Sequence, residues 1–144
     1  MRTRLLALAL LLVVTTGASS RRTDVNIVVI VNSANVTNAL ARAKVAQIFL
    51  RQVGSWENGT EILPVDQIER SPAHIAFVRT VLGQSVSTVK RYWQERIFSG
   101  NESPPPDRVT DADVLTYVRS NPGAIGYVVA GTDLGAGIKV LVIP

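Results

Sequence analysis

The sequence predicts a single α/β domain in which a mostly parallel sheet is flanked by helices, and three observations carry that expectation. Asp24 to Val31 is a nearly continuous Val/Ile segment, which suits a strand buried on both faces. Segments with apolar residues at helical spacing come after it. At Asn121-Pro122-Gly123-Ala124-Ile125-Gly126-Tyr127-Val128-Val129 a helix is stopped, and the chain passes at once into an apolar, β-branched run. Strands that alternate with helices make layers of sheet and helix.

Ahead of the domain, residues 1–20 read as an export signal. Arg2 and Arg4 form a basic start, Leu5 to Val14 is an uninterrupted apolar run, and Thr16-Gly17-Ala18 supplies small residues for cleavage. Cleavage is expected after Ala18 or after Ser20. The apolar run of ten residues is short for a bilayer span, so no stable membrane anchor is expected. Residues 21–144 then form one domain, and the expected location is periplasmic or secreted.

The elements come in order. After the first strand, Asn32-Ser33-Ala34-Asn35 is polar and turn-like. Residues 41 to 52 read as a helix with Val45, Ile48, Phe49 and Gln52 at helical spacing. Asn58-Gly59 marks a turn, and Glu61 to Val65 is a short strand. Ser71-Pro72 opens a helix, serine at the N-cap and proline at the first helical position, where a missing N–H costs nothing. Its apolar stripe is Ile75, Val78 and Leu82, widened by Phe77 and Val81, and Gly83 ends it. A further helix starts near Ser85 or Ser87 and carries Val86, Val89, Trp93 and Ile97 on one face. Ser99 to Arg108, with three consecutive prolines at 104–106, reads as an extended surface loop. Thr110 caps a helix with Val114, Leu115 and Val118 inward. In the next strand, Gly126 is read as making room for a neighbouring backbone. Ile138 to Ile143 closes the sheet, with the last two strands candidates for an antiparallel pair.

Composition excludes several classes of function. The formal charge is +4. Removing Arg2 and Arg4 from the 15 basic residues leaves 13 against 11 acidic, a net +2 with no basic concentration that nucleic acid would require. No cysteine is present, which rules out disulfides, thiolate metal ligands and lipid attachment through cysteine. His74 is the only histidine, so neither a metal site nor a cofactor is indicated, and the residue reads as a surface or capping histidine. Asp111 and Asp113 sit in a helical first turn, where carboxylates meet the helix dipole favourably. No G-x-S-x-G elbow or phosphate-binding glycine loop occurs, and no enzyme is indicated. Three N-glycosylation triplets, starting at Asn35, Asn58 and Asn101, read as surface segments.

The junction at 121–129, with Ile48-Phe49-Leu50 followed by Trp56 and with Pro64-Val65-Asp66 leading to the helix at Ser71, resembles the phosphate ABC transporter substrate-binding proteins, of the type 2 periplasmic-binding fold. The resemblance runs from about Val25 to Val129 and covers only the second lobe of that two-lobed family. It points to the turn 66–71 as a ligand site, because the family places Arg, a short spacer and Asp-Gly-Ser-Gly-Thr there, before a helix with a phenylalanine. Ser71 matches the serine, Phe77 the phenylalanine, and Glu69 stands for the aspartate. Arg70, Pro72 and Ala73 replace the two glycines and the threonine, and Asp66 replaces the arginine. The resemblance and the helix-end chemistry together give Ser71, Arg70 and Asp66 as ligand-binding residues, with phosphate or another small anion as the ligand. A single lobe leaves such a ligand half exposed, so the expected activity is weak anion binding. The alternative is an interaction module whose cleft is completed by a partner or a second copy, and an unrecognised enzyme stands third.

Overall fold

The Val/Ile run forms β1 (Ile27–Asn32), the strand around which the domain is organised in a computed structural model that describes residues 24–100 and 102–144. The expected signal, residues 1–20, lies outside the described residues. After β1 come α1 (Arg42–Phe49), β2 (Leu63–Pro64), β3 (Asp66–Gln67) and α2 (Pro72–Phe77), which runs on as one π-helical turn, Val78–Leu82. Then come α3 (Val86–Phe98), β4 (Asp107–Arg108), α4 (Asp111–Ser120), β5 (Ala124–Val129) and β6 (Ile138–Val140).

The sheet is mixed rather than mostly parallel. Its order is β2-β5-β1-β6, with β1 antiparallel to both β5 and β6 and only β2 parallel to β5. The last two strands therefore do not pair, since β1 lies between them. An apolar run fills both faces of a central strand whichever way its neighbours point, so the composition of β1 could not specify direction. Pro64 lacks a ladder donor and sits in edge strand β2. Beyond β2 the chain leaves this sheet, and β3 pairs in parallel with β4, which lies at the end of the proline segment. That segment is not wholly a surface loop, because Pro105 is buried.

Helices cover both faces. Val29, Val31, Ile125 and Tyr127 point toward α1 and α2, packing with Ile48, Phe49 and Phe77. Ile30 and Val128 point toward α4 and meet Val114 and Val118. Trp93 and Val89 of α3 pack on Val78 of the π-helical turn. The buried face of α2 carries Ala73, His74, Ala76 and Phe77, whereas Ile75 is 46% exposed. Ile75 falls on the outer side of α2 because Ala73, Ala76 and Phe77 take the inner face. Ile97 of α3 is likewise exposed.

Local signals set the boundaries. Gly83 is left-handed at φ 64° and stops the second helix. Ser85 accepts from Thr88 N and Thr110 from Asp113 N, both as N-caps. Asn32 at the end of β1 donates its side-chain amide to Val118 O and Arg119 O, satisfying the last carbonyls of α4. Gly123 is required by close approach, since a Cβ there would lie 2.1 Å from Glu61 O, and its own carbonyl accepts from Trp56 Nε1. At Gly126 a Cβ would meet the side chains of Val114 and Val65 at 2.9 Å, so the room it leaves is for side chains and not for a backbone. Of the glycosylation triplets, Asn58 is exposed, Asn35 is buried, and Asn101 lies outside the described residues.

Candidate functional site

The turn between β3 and α2 meets the end of β5, and there the buried polar residues Gln67, Ser71 and His74 converge. Tyr127 is fully buried on β5, stacked on Phe77 with ring centroids 4.1 Å apart, and this places its hydroxyl at the turn. The hydroxyl donates to Asp66 Oδ1. Gln67 N donates to the same oxygen at 2.7 Å, and His74 Nδ1 lies 2.9 Å from it. A carboxylate only accepts, so Nδ1 of His74 carries the hydrogen. Burial, then the Asp66 carboxylate, push the Tyr127 phenol far above its usual range, and it stays protonated.

Gln67 is the second hub. Its Nε2 donates to Asp111 Oδ1 at 2.8 Å and to Tyr127 O at 3.0 Å. Both partners are acceptors, so Oε1 must face the other way, where it accepts from Ser71 Oγ at 2.7 Å. Asp111 also accepts from Val129 N and Thr132 Oγ1, so it ties α4 to β5 in addition to standing in a helical first turn.

Ser71, Arg70 and Asp66 are thus placed in three different environments. Ser71 has the extended backbone of an N-cap, but its hydroxyl makes no capping bond and is spent on Gln67. Arg70 is exposed and lines a shallow depression of about 400 Å³ with Ile68, Glu69, Ile75 and Val86. Asp66 lines an adjoining cavity of about 260 Å³ between α3 and the proline segment, which shares Glu69 and Val86 with the depression. His74 lines that cavity too and is buried, correcting the surface or capping assignment; the reason is its bond to Asp66. Gln67, Glu69, Lys90, Gln94, Trp93 and Asp107 complete the polar and aromatic part of the wall. Lys90 pairs with Glu69 at 3.2 Å, both side chains being more than half exposed.

Sequence reasoning missed Gln67, His74, Tyr127 and Asp107 as site residues. The available signal was weak: a tyrosine hydroxyl inside a buried strand must find a partner, and a glutamine beside a strand end is a candidate for one. Among the described residues, no group of three or more His, Asp or Glu side chains is arranged to hold a metal ion. No helix among them is long and apolar enough to cross a membrane.

The fold is similar to one part of the periplasmic-binding type. Three solved structures show the likeness. An ABC-type phosphate transport receptor from Vibrio cholerae aligns with 83% of this chain at TM-score 0.63 and 17% identity. PstS from Borrelia burgdorferi aligns with 81% at TM-score 0.63 and 12% identity. A phosphate ABC transporter substrate-binding protein from Clostridium perfringens, solved with bound phosphate, aligns with 83% at TM-score 0.60 and 16% identity. The chain spans 45–46% of the length of these three proteins, so the resemblance is to part of each. No family model matches the sequence, and no curated protein matches it significantly.

Proposed function

We propose that this chain is an exported, non-enzymatic solute-binding domain of one lobe, whose ligand face is the cavity beside Asp66 and His74 and whose cleft is completed by a second surface. One observation carries the reading: most of this chain takes the fold of phosphate-transport receptors while spanning less than half of their length. A receptor that closes two lobes on its ligand encloses it from both sides, and one lobe alone contacts it from one. The non-enzymatic reading is supported by the chemistry of the corner. Tyr127 is held protonated, and the Ser71 hydroxyl donates to Gln67 rather than to His74, so no activated nucleophile faces the histidine.

Phosphate binds the isolated domain weakly in this reading, with Kd on the order of millimolar, or about −4 kcal/mol. Three carboxylates and one ammonium line the cavity, which disfavours an anion, and Arg70 lines the adjoining depression instead. The partner reading has its own support, because Ile97, which lines the cavity, and Phe98, the last residue of α3, are 57% and 96% exposed. Titration calorimetry of residues 21–144 with phosphate, with light scattering on the same samples, tests both readings. Micromolar phosphate binding by a strict monomer refutes the half-site argument. Self-association that tightens binding supports completion by a second copy. Intact mass of secreted material tests export: a mature chain starting at Ser19 or Arg21 is expected, and one starting at Met1 overturns it.

A further inference from the structure

We infer that the cavity at the end of α1, walled by Ile48, Arg51, Val53, Ile62, Pro64 and Glu102, binds a short-chain carboxylate with Arg51 as its counter-ion. This cavity shares no wall residue with the one beside Asp66, so the inference goes beyond the solute-binding reading and does not rest on it.

The first observation is the backbone of Arg51. Helix α1 stops in a Schellman arrangement, in which Arg51 N donates to Ile48 O at 3.0 Å and Gln52 N to Gln47 O at 2.8 Å. The motif sets the residue after the C-cap Leu50 in the left-handed region, where glycine is the usual occupant because it carries no Cβ. Arg51 stands there instead at φ 56°, the one residue other than glycine with a positive φ among the described residues. The helix end has no use for its guanidinium, since backbone donors and the Tyr92 hydroxyl already serve Gln47 O, Ile48 O and Leu50 O.

The side chain is the second observation, independent of the backbone. A guanidinium does not lose its proton in a protein, so its charge is fixed. Arg51 Nε is sealed from solvent and has no hydrogen-bond partner. Among the described residues no carboxylate lies within ion-pairing distance of Arg51. Glu102, on the same wall, is held by Arg96 at 2.9 Å. A permanent positive charge is thus partly desolvated with nothing opposite it, and a desolvated charge calls for a counter-ion.

The rest of the wall decides the class of anion. Ile48, Val53, Ile62 and Pro64 are apolar, and apart from Arg51 and Glu102 no side chain lining the cavity is polar. A multiply charged, hydrated oxyanion such as phosphate would lose water against that surface, and repulsion from Glu102 would grow with its charge. A monocarboxylate neutralises the one uncompensated cation, matches the planar guanidinium fork, and lays its alkyl tail on the aliphatic side chains. The volume of about 130 Å³, well under the roughly 300–1,000 Å³ that holds drug-sized ligands, limits that tail to a few carbons.

The test is calorimetric titration of residues 21–144 with sodium acetate, propionate and butyrate at fixed ionic strength, with inorganic phosphate and propylammonium chloride as controls. Propionate and butyrate are expected to bind more tightly than either control, and more tightly than acetate by up to about fourfold per methylene buried. Arg51→Gly should weaken butyrate at least about tenfold without lowering the melting temperature, because glycine takes the left-handed backbone more readily than arginine. Arg51→Gln, which keeps a long stem and loses the charge, should weaken it as much, and Glu102→Gln should tighten it. Butyrate binding that survives both Arg51 substitutions overturns the site. A melting temperature that drops in Arg51→Gly shows the guanidinium to be structural and overturns it too. Phosphate binding that is lost in the Arg51 variants, with no carboxylate bound, overturns the ligand class. Binding of no carboxylate at all overturns the inference and leaves the solute-binding reading standing, since that reading turns on the other cavity.

Discussion

Substitution of Ser71 separates a helix cap from a buried hydrogen bond, because aspartate serves the first and not the second. Were the Ser71 hydroxyl a cap, alanine would cost about 1 kcal/mol and aspartate would be tolerated. In the structure the hydroxyl instead donates to Gln67 Oε1, and the Gln67 amide cannot turn over without facing its Nε2 away from Asp111 and Tyr127 O. Ser71→Ala therefore removes a buried bond and leaves Oε1 without a donor, a loss of about 1–3 kcal/mol. Ser71→Asp sets an acceptor-only carboxylate against Oε1, in a position that is only 8% exposed. An uncompensated buried charge costs about 3–5 kcal/mol, so aspartate should be the worse of the two. Denaturant unfolding of residues 21–144 gives both values. In a Gln67→Ala background the effect of Ser71→Ala should fall toward zero, as expected when two residues act through one bond. Aspartate within about 0.5 kcal/mol of the parent would refute the hydrogen-bond assignment and restore the cap.

Three further outcomes are expected. Phe77→Ala, which removes a buried ring stacked on Tyr127 and 4.6 Å from Phe49, should cost about 3–5 kcal/mol, and Trp93→Ala a similar amount; unchanged melting temperatures would show the packing to be wrong. Tyr127 is raised in the folded state, so folding holds a proton that the unfolded chain releases above pH of about 10; stability should be level below that and fall by about 1.4 kcal/mol per pH unit above it. Tyr127→Phe should abolish this tyrosine's part of the alkaline slope, as chemical unfolding between pH 9 and 11 will show. Gly123→Ala should destabilise by at least about 2 kcal/mol through collision with Glu61 O, while Gly54→Ala, with open space around it, should be nearly neutral by the same melting assay.

What the sequence determined by itself is what local chemistry determines. The helix starts at Ser85 and Thr110, the stop at Gly83 and the junction at Asn121-Pro122-Gly123 were legible because capping, left-handed backbone and proline sterics act within a few residues. The inward faces of α1 and α4 were legible because their apolar spacing is regular. Strand direction was not, since a Val/Ile strand buries equally well beside parallel and antiparallel neighbours. The exposure of Ile75 was not legible either, since the small residues Ala73 and Ala76, together with Phe77, take the inner face of α2. The candidate site was legible only in part. The turn 66–71 was found, but the roles within it belong to tertiary structure, because the groups that engage it are distant in the chain. His74 is buried by its bonds to Asp66 and to Tyr127, which is 53 residues away, and Ser71 is diverted from capping by a glutamine that Asp111, 44 residues on, holds in one orientation. Only the packing of β5 against α2 brings those groups within bonding distance, and that packing decides which polar atoms are satisfied internally and which are left to face the cavity.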